Sequence, residues 1–342
     1  MTIAVDAMGG DQGPGAVVSG ALASLVRGPA TLRIVLVGDP RVLDGELARC
    51  PASVSHRISI EAADGVVAME ESPGSALRRT TPSSIHVVAD LHARGLADAL
   101  VSPGNTGAVM AICRHRLGAV PGIERPAIAA CLPRPGGACL VLDVGANVKC
   151  TSDQLVGFAA MGSVYAQRVL GRDRPVVGLL SIGEEAEKGT PEIRAAHRRL
   201  SQAPIEFAGN VEGRDLLRPG VDVVVCDGFV GNVLLKFAEG AFGMVAQRFD
   251  AMTKDSWRGR MARGLLGHRL AGLTTDLDPD THGGAPLLGL AGAAIICHGN
   301  AGPGAIEEAI FAAVRYGSLN VNEEICELLG RIAPPGAGAQ PE

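Results

Sequence analysis

Aromatic residues make up only 3% of the 342 residues, with one Trp, two Tyr and seven Phe, whereas Gly numbers 46. That balance disfavours an aromatic-filled β-sandwich and suits close packing of helices on a sheet. The eight cysteines stand singly at Cys50, Cys113, Cys131, Cys139, Cys150, Cys226, Cys297 and Cys326. Without a CxxC pair or zinc-ligand spacing they read as reduced thiols in a cytosol, and no metal is expected. A formal charge of −5 gives no global reason to expect nucleic acid. The uncharged run Gln12 to Val26 is shorter than a membrane span and carries Gly and Pro, and the opening "MTIAVDAMGG" lacks the basic start and cleavage site of a signal peptide. Equally absent are a GxSxG elbow, an HExxH helix, a P-loop lysine, a dinucleotide fingerprint and a Cys-His or Ser-Lys signature. No covalent enzyme nucleophile is indicated.

What is present is a rhythm. Short apolar runs end in polar, Gly-rich turns: "TIAVDAMGG", "LRIVLVGDP", "ADALVSPGN", "CLVLDVGAN", "VVGLLSIGEE" and "VDVVVCDGF". Longer helical patterns lie between them, as over Gln154 to Leu170 and Val230 to Asp250. The alternation predicts an α/β protein with three α/β/α layers and a mostly parallel sheet. We read 1–330 as one two-lobed catalytic unit and 331–342, with "PPGAGAQPE", as a disordered tail. In an open parallel sheet, ligands bind beyond the carboxyl ends of the strands, so the polar turns are expected to converge on one crevice.

Each turn has a functional reading beside a structural one. In "DAMGGDQGPG" the glycines permit close backbone approach, while Asp11 also fits a plain helix start. "SPGNTGA" supplies Ser102, Asn105 and Thr106 around amides suited to an anion-holding nest, or to ordinary N-capping. "DVGANVKCTSD", from Asp143, repeats that pattern and contains Asn147. "SIGEEAEKGT" sets Lys188 near Glu185, either as a point charge for a phosphate oxygen or as a solvated, self-paired loop. "VCDGFVGNVLLK" places Asp227 at a strand end with Asn232 and Lys236 entering a helix; Asp227 orients a donor, acts as a base, or only caps. "GIERPA" supplies Glu124 and Arg125, and "CHGNAGPGA" supplies His298, which fits a structural as well as a binding role. An enzyme with anion-holding loops and no nucleophile works by positioning: it holds phosphate against an electrophile and stabilises the developing oxyanion.

Taken in order, "MGGDQGP", "SPGNTGA", "GIERPA", "LDVGANV", "IGEEAEKG", "CDGFVGNVLLK" and "GGAPLLGLAG" resemble the bacterial phosphate acyltransferases, the acyl-ACP:phosphate transacylases of PlsX type, from about Ile3 to Leu329. The resemblance implies transfer of a fatty acyl group from acyl-ACP (acyl carrier protein) to inorganic phosphate, giving acyl phosphate for phospholipid synthesis. It implies no cofactor, a homodimer, a fold akin to phosphotransacetylases and isopropylmalate dehydrogenases, and a cytoplasmic enzyme peripherally attached to the membrane. The implied downstream partner is a glycerol-3-phosphate acyltransferase. Carried onto this chain, Asn105, Thr106 and Asn147 hold phosphate or the thioester oxygen, Lys188 offsets negative charge, and Asp227 with Asn232 orients the reacting groups. Asp11, Ser102, Asp143, Glu185 and His298 complete the expected substrate site. Gln12, Pro103 and Cys297 depart locally from the family pattern.

The segment 252–275 reads as a basic amphipathic contact. Lys254, Arg258, Arg260, Arg263 and Arg269 face a single Asp255, and Trp257 begins an apolar set at helical spacing. Such a helix suits an anionic membrane surface or acidic ACP.

Overall fold

The computed structural model describes residues 1–48, 50–254 and 283–332. The chain begins with β1 (Thr2–Asp6), α1 (Gly13–Arg27), β2 (Arg33–Gly38), α2 (Pro40–Leu47), β3 (Ile58–Ala62), α3 (Pro73–Leu77), α4 (Ser84–Ala93), β4 (Ala99–Ser102) and α5 (Thr106–Leu117). A hairpin of β5 (Ala127–Arg134) and β6 (Gly137–Leu142) leads into α6 (Ser152–Arg168), β7 (Val176–Leu180), α7 (Pro191–Leu200), β8 (Glu206–Val211), β9 (Val223–Val225) and the long α8 (Gly228–Lys254). β10 (Ala285–Leu288), β11 (Ala294–Ile296), α9 (Pro303–Gly317) and α10 (Val321–Arg331) follow.

The strands are apolar on both sides because both sides are covered. Ile3 and Val5 of β1 face one core, with α1, α6, α7, α9 and α10, while Ala4 between them faces the other, with α3, α4 and α5. Val223 and Val225 divide from Val224 in the same way in β9. Period-two alternation between two buried faces produces the continuous apolar runs of the sequence, and yields the three α/β/α layers.

The described strands form one sheet in the order β3-β2-β1-β4-β11-β10-β5-β6-β9-β7-β8. Pairing is parallel except at β10–β11, β10–β5 and β5–β6. Those reversals turn β6, β7, β8 and β9 against the direction of β1, β2, β3, β4 and β11. The expected single row of strand ends is therefore two rows, one per half, pointing opposite ways along the sheet. The reason lies in β10 and the β5–β6 hairpin: an apolar run fixes burial, and direction comes from the connections.

One element ties the rows together. α8 starts behind β9, packs on β5 and β6 through Leu234, Leu235 and Ala238, and carries Lys236 to His298 beyond β11, with Nζ 3.2 Å from Nε2. Its stretch Gly228–Val245 is long and apolar enough by composition to cross a membrane, with mean hydropathy 1.2, and only 11% of it is buried. The basic segment expected over 252–275 lies outside the described residues from 255 onward, as does the expected tail from 333 onward.

Candidate active site

Two buried aspartates organise the site from beneath. Asp6 ends β1 and is 0% exposed. Its carboxylate accepts from the amides of Met8 (3.2 Å) and Gly9 (3.1 Å) and from the Ser102 hydroxyl (2.7 Å), while Ser102 Oγ accepts from the Gly104 amide at 3.1 Å. The turns after β1 and β4 are thereby stitched together. They touch so closely that a Cβ on Gly9 would stand 2.7 Å from both Asp6 Oδ2 and the Gly104 nitrogen, so only glycine fits there.

Asp143, also 0% exposed, does the same after β6. Its carboxylate accepts from the amides of Ile128 (3.1 Å), Gly145 (3.2 Å), Ala146 (3.0 Å) and Asn147 (2.6 Å) and from Asn147 Nδ2 at 2.9 Å. Asn147 Nδ2 also reaches the Pro126 carbonyl (2.8 Å), and the Asn147 carbonyl accepts from the Gly228 amide at 2.7 Å. A Cβ on Gly228 would meet Asp143 Oδ2 at 2.7 Å, so α8 starts pressed against this turn. Burial pushes the pKa of both carboxyl groups up, against the opposing pull of their hydrogen bonds.

The residues expected to bind substrate now sort into two groups. Those already committed inside the protein are Ser102, Asn105, Asp143 and Asn147. Asn105 caps α5 by accepting from the Ala108 amide (3.0 Å), and its Nδ2 donates to the carbonyls of Ala68 (3.2 Å), Met69 (2.7 Å) and Glu71 (2.9 Å). It pins the 64–83 arm rather than offering its amide to a ligand. Asp227 likewise caps α8, accepting from the Val230 amide at 2.9 Å.

The second group stands open. Thr106 is exposed at the start of α5, and Asn232 is exposed beside Gly145; neither side chain has a hydrogen bond among the described residues. The Lys188 ammonium and the Glu185 carboxylate have no ion pair among the described residues, although the Glu185 carbonyl is held by Asn210 Nδ2 at 2.7 Å. Asp11 is exposed, its amide bonded to the Gly299 carbonyl at 2.6 Å. Exposed His298 meets Lys236, which is also paired with Glu239 at 2.8 Å. The structure thus places Asp11, Ser102, Asn105, Thr106 and His298 on one half, and Asp143, Asn147, Lys188, Glu185, Asp227 and Asn232 on the other. Lys236 bridges the two.

Asp6 is absent from the sequence-derived site, and Lys236, named there only for its place in the helix, gains a contact with His298. Asp6 and Asp143 share a signal that reveals both: an aspartate closing an otherwise apolar strand just before a Gly-containing turn. The amides of Thr106 and Gly107 at the start of α5, and of Val148 and Lys149 before α6, have no acceptor among the described residues. Unsatisfied amides at a helix start are the chemistry of oxyanion and phosphate holding. Two thiols lie close by. Cys150 is pushed up to about 12 by burial and then by the charges of Asp143 and Asp227, and burial drives Cys226 well above the usual thiol range. Both shifts favour the neutral thiol over the thiolate, which disfavours them as nucleophiles.

Residues 1–324 match the family model described as "Fatty acid synthesis protein". The chain is 46% identical over 340 residues to a protein of Moorella thermoacetica named "Phosphate acyltransferase", covering 99% of this chain and 97% of the relative. It is 47% identical over 328 residues to the like-named protein of Thermosynechococcus vestitus, covering 95% and 93%. A phosphotransacetylase structure from Streptococcus pyogenes superposes with a TM-score of 0.63 at 15% identity, covering 93% and 94% of the two chains. A branched-chain phosphotransacylase from Enterococcus faecalis gives 0.57 at 14%, covering 93% and 99%. These two likenesses establish the fold. With relatives of this identity along nearly its whole length, the chain belongs to the phosphate acyltransferase family of enzymes.

Proposed function

We propose that this chain moves a fatty acyl group from acyl-ACP to inorganic phosphate. A phosphate oxygen attacks the thioester carbonyl carbon and a tetrahedral oxyanion forms. The C–S bond then breaks, the electron pair leaves with the carrier's thiolate, which takes up a proton, and the acyl phosphate departs. The observation that carries this reading is the pair of aspartate-anchored turns, each with amides at or before a helix start that have no acceptor among the described residues. Such a site favours a reaction whose nucleophile is itself an anion. Thr106, Asn232 and Lys188 supply the remaining donors and charge, with His298, Asp11 and Glu185 at the margin. The committed side chains of Asn105, Asn147, Ser102, Asp143 and Asp227 serve by shaping the turns. No cofactor enters this scheme.

The product fits a supply of acyl phosphate to a glycerol-3-phosphate acyltransferase in phospholipid synthesis, at the cytoplasmic face of an anionic membrane. The basic segment 252–275 supports that placement by its composition. A homodimer is supported by α8, where Phe229, Val233, Phe237 and Met244 form an exposed apolar stripe, Phe237 at 72% exposure.

The deciding assay incubates the purified chain with palmitoyl-ACP and phosphate and traps acyl phosphate with hydroxylamine. Phosphate-dependent hydroxamate, much larger than with palmitoyl-CoA, is expected. Preference for palmitoyl-CoA would make the donor a CoA thioester. Tight binding of acyl-ACP with no product from either donor would turn the protein into a scaffold.

A further inference from the structure

A cavity of about 530 Å³ opens on the α6 side of the sheet, between the 121–125 turn, the start of α6 and the end of α10. It lies in the range of about 300–1,000 Å³ in which small-molecule sites fall. It lies behind the Asp143 turn, separated from it by Pro126, whose carbonyl holds Asn147. No residue assigned to the acyl transfer lines it, and it contains the Glu124–Arg125 pair of the "GIERPA" motif, to which the reaction assigns no role.

Its chemistry is uneven. The wall is apolar, with Ile123, Val156, Leu329 and Ile332. The charged groups at its edge mostly satisfy one another: Asp153 pairs with Arg199, and Glu124 accepts from Gln154 Nε2 at 3.1 Å. Two guanidinium donors are left over. Arg125 has no ion pair among the described residues, and the buried Nε of Arg199 has no acceptor. A buried donor left unpaired costs about 1–3 kcal/mol, which an incoming anion would relieve.

A glycine keeps the space open. Gly157 sits inside α6, where glycine costs roughly 1 kcal/mol relative to alanine. Gly162 in the same helix is required by packing, since a Cβ there would stand 2.6 Å from Val223 Cγ1. At Gly157 a Cβ would meet only Ile123 Cδ1, at an ordinary 3.4 Å. Packing does not demand the residue, and a larger side chain there would project into the cavity.

We propose that this cavity binds an unbranched aliphatic chain ending in one anionic group, the chain against the apolar wall and the head at Arg125 and Arg199. Two sources offer such a chain: a free fatty carboxylate, or the acyl chain of the proposed reaction, which carries an anionic head only as acyl phosphate, and the second rests on that reading. The test uses the full chain with 11-(dansylamino)undecanoate as fluorescent probe and dodecanoate as competitor, so it needs no turnover. Saturable binding is expected, displaced by dodecanoate. Arg125→Gln should weaken dodecanoate by about tenfold while leaving neutral dodecanol unchanged, as loss of one charge-assisted hydrogen bond implies. Gly157→Leu, checked for folding by circular dichroism, should abolish probe binding. Displacement by palmitoyl-ACP would identify the chain as that of the acyl donor; probe retained under saturating palmitoyl-ACP would identify a separate carboxylate site. The absence of saturable binding to the native protein, or unchanged binding to both variants, would overturn the proposal whatever the outcome of the hydroxamate assay.

Discussion

At Cys150 the physics of one side chain decides between two mechanisms. A thiol raised to about 12 yields less thiolate at neutral pH than a free cysteine, and its reactivity grows only as pH climbs toward that value. Cys150→Ser should therefore keep turnover within about threefold, a change under 1 kcal/mol in barrier. A collapse of activity would return the thiol to the chemistry. Asp143 makes a second claim, about stability. Burial raises its pKa above the ordinary 3.8, so the folded state holds the proton to higher pH than the unfolded chain does. As pH rises from that value through the raised folded pKa, the native protein loses stability relative to Asp143→Asn, which has no proton to release. Urea unfolding of both proteins at pH 4 and pH 7 reads the difference directly. If the native protein instead gains on the variant toward pH 7, the amide donors around Asp143 outweigh its burial.

Among the elements, the 64–83 arm shows what one side chain can fasten. Asn105 reaches three of its carbonyls and caps α5 with its other atom. Replacement by Asp keeps the cap and removes the donor; replacement by Ala removes both. Trypsin cleavage after Arg78 or Arg79 should accelerate in both variants, whereas a stability loss of about 1 kcal/mol from the missing cap should appear chiefly in Asn105→Ala. Cleavage at the native rate would mean that the Glu71–Arg79 pair, at 2.5 Å, holds the arm by itself. The strand-turn-helix units around the site were legible because Gly, Asn and Asp clusters end apolar runs wherever a strand gives way to a helix start. The destinations of the Asn105 and Asn147 side chains were not. Local spacing shows that an amide stands at a helix start, but the carbonyls it reaches lie 34–37 residues away for Asn105 and 21 for Asn147.

For the molecule as a whole, the layers and the mostly parallel sheet followed from alternation of β and α patterns, whereas the reversal between its halves did not. It depends on β10 and β11, of four and three residues, and on the tight turn between β5 and β6. Short strands leave little periodicity, and β5 reads as the same apolar run whichever way it points. The long α8 presents Phe237 and its neighbours to solvent while Lys236 touches the other half. Phe237→Glu should shift the protein toward monomer in sedimentation without loss of helix signal. A native protein that sediments as a monomer at every concentration would leave the stripe without a partner copy.

The aspartates beneath the turns have a further consequence for how a ligand is received. Turns already fastened at several points lose little motion when an anion arrives, so little ordering entropy is spent on arrival. Phosphate should associate without a slow conformational phase, and backbone hydrogen exchange at Gly145–Asn147 should be nearly as slow in the free protein as in the saturated one. A receptor so prepared leaves its selectivity to geometry: an anion of the wrong size finds amides that cannot move to meet it.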